Sequence, residues 1–324
     1  MTRDVHLNVN ILNSGVFGGS WRFPGTDPFT AFGLAHYVDI AKKAESAKLD
    51  AVFLADGPVL GEDVAHRPWG SLEPTVVLAA IAASTSRIGL IGTLSSSYND
   101  PYDVARRLAT LDVLSKGRSG FNVVTTAGAA AARNFGYAEE PAHSLRYRRA
   151  GEFVEVVRTL WNSWEPDALV GDRDSFRFVD YSKIHDAHFH GEFFDVEGAL
   201  NVPRSPQGEP VVVQAGASKD GRGLAAKVGE VIFTAAQTVD EARDYYQDVK
   251  RRAAALGRDP SQVDPAWALD GGRQYREGSQ GTTGTARRAG TSAVCDRQAV
   301  RAAGSSLRSV DSRRCVALES AEGS

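Results

Sequence analysis

The chain has 324 residues, 42% hydrophobic and 24% charged, with a formal net charge of −3, which is ample material for a large buried core. That balance leaves no basic excess to attract nucleic acid, and no apolar run is long enough to cross a membrane. With only Cys295 and Cys315, neither a disulfide framework nor a cysteine metal site is expected.

The opening residues, MTRDVHLNVNIL, lack the long apolar segment and cleavage site of a signal peptide, so a cytoplasmic location is expected. A strand-then-helix rhythm begins at once. Val5 to Leu12 reads as a strand and Phe32 to Ala47 as an amphipathic helix. Ala51 to Ala55 (AVFLA) is a continuous apolar run, as expected of a strand buried on both faces. A helix over Glu73 to Thr85 leads to a strand at Ile88 to Ile91, and a helix from Pro101 to Leu114 leads to a strand at Gly120 to Thr125. Ser144 to Trp164 is a long helix. Strands at Pro210 to Gln214 and Val231 to Phe233 flank a helix near Gly221 to Val228, and a last helix covers Glu241 to Leu256.

Short strands alternating with helices predict an α/β protein with a parallel sheet and right-handed crossovers. A (β/α)8 barrel is favoured over a doubly wound sheet. The units are uniform, polar residues follow several strands, and no Gly-rich dinucleotide loop follows the first strand. The segment 165–209 is a long insertion without clean periodicity, either a lid or surface elaboration. Its His185, His188 and His190 have metal-like spacing, but no acidic or cysteine partner is clearly placed to complete a shell, so no metal is expected. After Val263 the pattern stops. Residues 263–324 are rich in Gly, Ser, Thr and Arg, and an unstructured tail is expected beside a barrel over 1–262.

The most informative stretch is GRSGFNVVTT (residues 117–126), followed by Asn134-Phe135-Gly136 and then His143 and Tyr147. It predicts a buried strand whose C-terminal end breaks into a loop, which is where parallel α/β proteins hold their ligands. His143 and Tyr147 are four apart on one helix face and can grip a single ligand; a surface His beside a half-buried Tyr is the plainer alternative.

GRSGFNVVTT, ARNFG, HSLRYRRAGEFVEVVRTLWNSW and NVPRSPQGEPVVVQAGAS together resemble the bacterial-luciferase-like flavin monooxygenases, nearest their nitrilotriacetate and dibenzothiophene-sulfone branch. The likeness runs from about Val5 to Pro260 with the motifs in order. It implies a TIM-type barrel that takes reduced FMN from a separate flavin reductase and, with O2, oxygenates a small organic substrate. It also suggests a homodimer. Carried over by position, the flavin contacts implied are Asp56, Thr93, Asn122, His143, Tyr147, Ala217 and Ser218. Each makes physical sense: Ser218 opens a helix whose free N–H groups favour a phosphate, and Thr93 and Asn122 can bond a polar flavin edge in an apolar barrel mouth. Asp56 could instead close a turn, and Ser218 could be a plain N-cap. The bound flavin and O2 would carry the chemistry, so no catalytic side chain is singled out. Trp21, Arg22 and Glu73 are candidates for substrate contacts.

After Pro260 the chain departs from the family. Reading permissible codons from Asp264 onward one nucleotide later allows ILPGPWTVVGNTEREAKELLARLDELA, a strand, turn and amphipathic helix of the kind the barrel lacks. A frameshifted tail and a barrel of about six of its eight strands are therefore expected. Such a barrel exposes two edges and opens its lumen to water. The alternative function is then a flavin-binding remnant without turnover. An aldolase or hydrolase barrel would need a Schiff-base Lys or metal-ligating carboxylates at strand ends, and no convincing set of either is found.

Overall fold

The computed structural model describes residues 6–13, 15, 17–68, 72–236 and 238–267. The first half alternates β1 (Asn8–Asn10), α1 (Leu34–Ser46), β2 (Ala51–Leu54), α2 (Pro74–Ser84), β3 (Gly89–Ser95), α3 (Pro101–Ser115) and β4 (Ser119–Val124). Two helices follow, α4 (Ala129–Asn134) and α5 (His143–Trp161). Next come two antiparallel hairpins, β5 (Leu169–Asp172) with β6 (Arg177–Val179) and β7 (Phe189–His190) with β8 (Asp195–Val196). The rhythm resumes with β9 (Val211–Gln214), α6 (Lys219–Val228), β10 (Val231–Thr234), α7 (Val239–Ala255) and β11 (Asp264–Trp267). The main sheet runs β1-β2-β3-β4-β9-β10-β11 with every pair parallel, the wall of a (β/α) barrel. Among the described residues β1 and β11 are its two edges.

Seven strands stand where about six were expected, and the seventh starts where the sequence pattern ends. Val263 is fully buried with Ala225, Ile232, Tyr245 and Val249, and β10 pairs Val231 with Asp264 through to Thr234 with Trp267. The barrel wall therefore continues past the expected boundary at 262. Backbone pairing along β10, not side-chain periodicity, makes this strand, and a Pro at 265 is tolerated because an edge strand has a side without ladder bonds. The rest of the expected tail, 268–324, lies outside the described residues.

Local signals explain the helix limits. Asp100 caps α3 by accepting from the Tyr102 and Asp103 N–H groups, with Pro101 at the first helical position. Lys116 ends α3 in the left-handed region, followed by Gly117 at φ 83°. Strand residues alternate between two cores. Val52, Leu54 and Leu90 pack outward on α1 and α2, while Leu94, Phe121, Val123 and Val212 pack on α3 and α5. Ala51, Phe53, Ile91, Val211, Val213 and Val231 face inward and form an apolar lumen layer. Two residues beyond Ile91 and Gly120 on the same face stand Thr93 and Asn122. The insertion is fastened to α5, where Glu152 accepts from the N–H groups of Glu192, Phe193 and Phe194 at 2.8–3.0 Å.

Candidate active site

The seven expected flavin contacts fall at the C-terminal ends of β2, β3, β4 and β9, four neighbouring strands, and on the helix that enters beside them. Thr93 and Asn122 are paired across β3 and β4, and Asn122 Nδ2 donates to Thr93 Oγ1 at 2.8 Å. Asn122 is 3% exposed, and its Oδ1 has no hydrogen-bond partner among the described residues. A buried acceptor left unpaired costs about 1–3 kcal/mol, so its retention points to a ligand donor at this level of the lumen.

His143 opens α5 and its ring meets that of Tyr147 at 4.7 Å between centroids, as the four-residue spacing predicts. Its Nδ1 lies 2.9 Å from Oδ2 of Asp220 in the first turn of α6, which ties the two helix N-termini together. Ser218 caps α6 by accepting from the Gly221 N–H at 3.0 Å, so the plain N-cap reading describes its hydroxyl. Ala217 is exposed just before it. The β9–α6 turn is unusually tight. A Cβ on Gly216 would come within 2.7 Å of the Gly221 Cα, and one on Gly221 within 2.8 Å of the Gly216 Cα, so both positions require glycine.

Asp56 follows β2, half-buried, and its carboxyl is pushed above the ordinary value of 3.8. Burial is the main cause, opposed by the Gly57 N–H and reinforced by the charge on Glu73. A raised carboxyl favours folding when protonated, so its contribution is full below pH 3.8 and is lost as pH rises through the folded value. Asp56→Asn should therefore melt higher than the parent at pH 7, with the gap closing near pH 3. Thermal melts across that range check it, and a gap that widens in acid would contradict it.

Among the described residues, no hydrogen bond brings the three candidate substrate contacts together with those residues. Glu73 is the N-cap of α2, accepting from the Val76 N–H at 2.9 Å, and pairs with Arg107 at 3.6 Å. Trp21 is half-buried in the β1–α1 connection and donates to the His66 carbonyl at 3.1 Å, and Arg22 beside it is exposed. The three insertion histidines each have their own carboxylate: Glu165 for His185, Glu197 for His188 and Asp195 for His190. Among the described residues no group of three or more His, Cys, Asp or Glu could hold a metal, and no helix is long and apolar enough to span a membrane.

The contacts of several mouth residues left no signal in the sequence. Asn134 donates to the Pro58 carbonyl at 3.0 Å, joining the loops after β4 and β2, and Phe135 stacks on Tyr98 at 4.7 Å. These interactions give the ARNFG motif a structural role. Arg146 is buried beside Glu140 and reaches the Thr126 carbonyl. Its spacing in HSLRYRR placed it on the same helix, but nothing in the sequence told its face from that of Tyr147.

An α/β barrel wall with a polar pair at its C-terminal rim is compatible with many chemistries. A family model for luciferase-like monooxygenases matches residues 16–270, and the chain belongs to that family. It is 45% identical to nitrilotriacetate monooxygenase component A of Aminobacter aminovorans over 79% of this chain and 59% of that protein. It is 44% identical to the dibenzothiophene-sulfone monooxygenase of Rhodococcus erythropolis over 76% of this chain and 56% of that protein. Among solved structures, a riboflavin lyase with modified FMN and riboflavin superposes with a TM-score of 0.76 at 35% identity, covering 82% of this chain and 62% of the other. The chain thus spans less than two thirds of each of these relatives.

Proposed function

We propose that this chain binds reduced FMN delivered by a separate flavin reductase and acts as the oxygenase component of a two-component monooxygenase on a small organic substrate. The observation that carries the reading is the unpaired, buried Oδ1 of Asn122 beside Thr93, facing the lumen at the rim where the barrel strands end. An amide and a hydroxyl suit the donors and acceptors of a flavin ring edge. The turn at exposed Ala217 and half-buried Ser218 suits its phosphate, with His143 and Tyr147 alongside, and Asp56 closes the rim above β2.

Reduced FMN, when bound, supplies the electrons that divide O2 between substrate and water. The chain's own tasks are to hold the ring through Thr93 and Asn122, to fix the phosphate end, and to keep water off through the lumen layer of Ala51, Ile91 and Val213. Trp21, Arg22 and Glu73 are proposed to meet the substrate, and a homodimer is proposed as the assembly.

A second reading has one observation in its favour. Phe53, Val211 and Val231 of the lumen layer are only half-buried among the described residues, which suits flavin binding without a dry pocket for turnover. One experiment separates the two. FMN is titrated into the purified chain, then NADH, a flavin reductase and O2 are supplied with nitrilotriacetate or dibenzothiophene sulfone. Micromolar FMN binding with labelled oxygen appearing in a product supports the monooxygenase. Binding without product favours the second reading, and no binding of FMN removes both.

A further inference from the structure

We infer that Tyr245 and Arg222 are positioning residues that aim the N–H groups of Ala217 and Ser218 at the flavin phosphate, an inference that rests on the FMN reading above.

The β9–α6 turn is gripped from behind by α7. Tyr245 on α7 is 3% exposed, and its hydroxyl donates to the Gly216 carbonyl at 2.8 Å. The guanidinium of Arg222 lies over the Tyr245 ring at 4.9 Å, and its Nε donates to the Ala217 carbonyl at 3.1 Å. Asp248, three residues along α7, receives Arg222 Nη1 at 3.4 Å and also holds Arg251 and Arg252. Two successive carbonyls are thus fixed by side chains packed between α6 and α7. Burial pushes the Tyr245 hydroxyl up to about 12, so it remains a donor at any working pH.

Peptide planarity turns this grip into a binding direction. No peptide bond is cis among the described residues, and in a trans peptide the C=O and the following N–H point oppositely. Drawing the Gly216 and Ala217 oxygens toward Tyr245 and Arg222 therefore turns the Ala217 and Ser218 N–H groups the other way. Neither of them donates a hydrogen bond among the described residues, and the Ser218 hydroxyl is already engaged with Gly221. A second, independent sign of a ligand stands beside the turn. Tyr147 is 8% exposed, and its hydroxyl has no hydrogen bond among the described residues. Its ring touches that of His143 and is close enough to Tyr245 to be felt by its phenol. Two consecutive N–H groups at the start of a ten-residue helix, with a free phenol alongside, match a phosphate monoester better than a neutral group. Asp220, the acid in that first turn, is held by His143.

The test compares FMN with riboflavin, which lacks the phosphate, in fluorescence titrations of the full chain and Tyr245→Phe. This substitution removes only the hydroxyl and keeps the ring that supports Arg222. The expected result is a Kd for FMN raised roughly three- to tenfold, the loss of about one hydrogen bond's net effect, with the riboflavin Kd unchanged. Arg222→Gln should give the same split and carries the test if Tyr245→Phe does not fold by circular dichroism. An equal loss for both ligands, or no loss for either, overturns the inference. Equal affinity of the parent chain for FMN and riboflavin also overturns it while leaving the flavin reading intact. Binding of neither ligand by the parent removes the flavin reading and this inference together.

Discussion

Replacing Asn122 by leucine should make the protein more stable and a poorer flavin binder at the same time. The amide is buried on β4, with one half engaged to Thr93 at 2.8 Å and the other half unpaired. Removing an unpaired buried acceptor returns about 1–3 kcal/mol, and losing the Thr93 bond gives back about 0.5–1.5 kcal/mol. The net gain should raise Tm by about 2–4 °C in a chain of this size. The side chain sits in line with Ile91 and Gly120 on the lumen face, so an apolar replacement also extends the layer below it. Flavin binding should move the opposite way. A ring edge that enters the lumen and finds no amide forfeits about 1–3 kcal/mol, so the Kd for FMN rises roughly 5- to 150-fold. Because this loss is at the ring, riboflavin should lose as much as FMN, unlike the phosphate-selective loss expected for Tyr245→Phe. Melting curves and paired titrations decide it. A destabilised Asn122→Leu with unchanged flavin affinity would mean that the amide is a structural group only.

The balance between stability and binding at Asn122 also explains what the sequence could and could not reveal. The barrel wall was legible because its strands are continuous apolar runs, AVFLA and PVVVQ, between helices with Pro or a polar cap at their starts. β11 was illegible because a strand pairing at an edge needs only backbone, and its Asp-Pro-Ala-Trp carries no alternation. The short helix α4 and the two hairpins were missed for the related reason that their lengths fall below any reliable period. At the site, His143 and Tyr147 could be named from their four-residue spacing, and Thr93 and Asn122 from the family resemblance. What holds them could not: Asp220 reaches His143 across 77 residues, and Tyr245 reaches Gly216 across 29. Partners brought together only by the fold leave no spacing in the chain. Arg118 lies inside the most informative motif, yet its side chain works at the N-terminal end of β4, against Ser115, Thr85, Ile88 and Ala82.

Arg118→Lys should be nearly as damaging as Arg118→Ala, which is the largest stability loss expected from any single surface-reaching charge here. The guanidinium lies at the N-terminal end of β4, away from Asn122, and uses every branch of its fork. Nε donates to the Ser115 carbonyl at 2.7 Å, Nη1 to Ile88 O at 2.7 Å and Thr85 Oγ1 at 3.1 Å, and Nη2 to Ala82 O and Thr85 O at 3.1 Å each. It thereby satisfies carbonyls at the C-terminal ends of α2 and α3, groups that have no partner within their own helices. From the other side Glu45 accepts from the N–H groups of Ser86, Arg87 and Ile88, so the α2–β3 connection is held by one cation and one anion. Removing the fork strands several half-buried carbonyls and should cost about 3–5 kcal/mol, lowering Tm by about 6–20 °C. A lysine has a single ammonium and cannot span three chain segments, so it should recover less than half of that loss. The flavin Kd, measured well below the melting transition, should stay unchanged, because the damage lies at the far end of the strand from the lumen's polar pair. Full rescue by lysine, or a fall in flavin affinity ahead of any loss of stability, would show that this end of β4 communicates with the site.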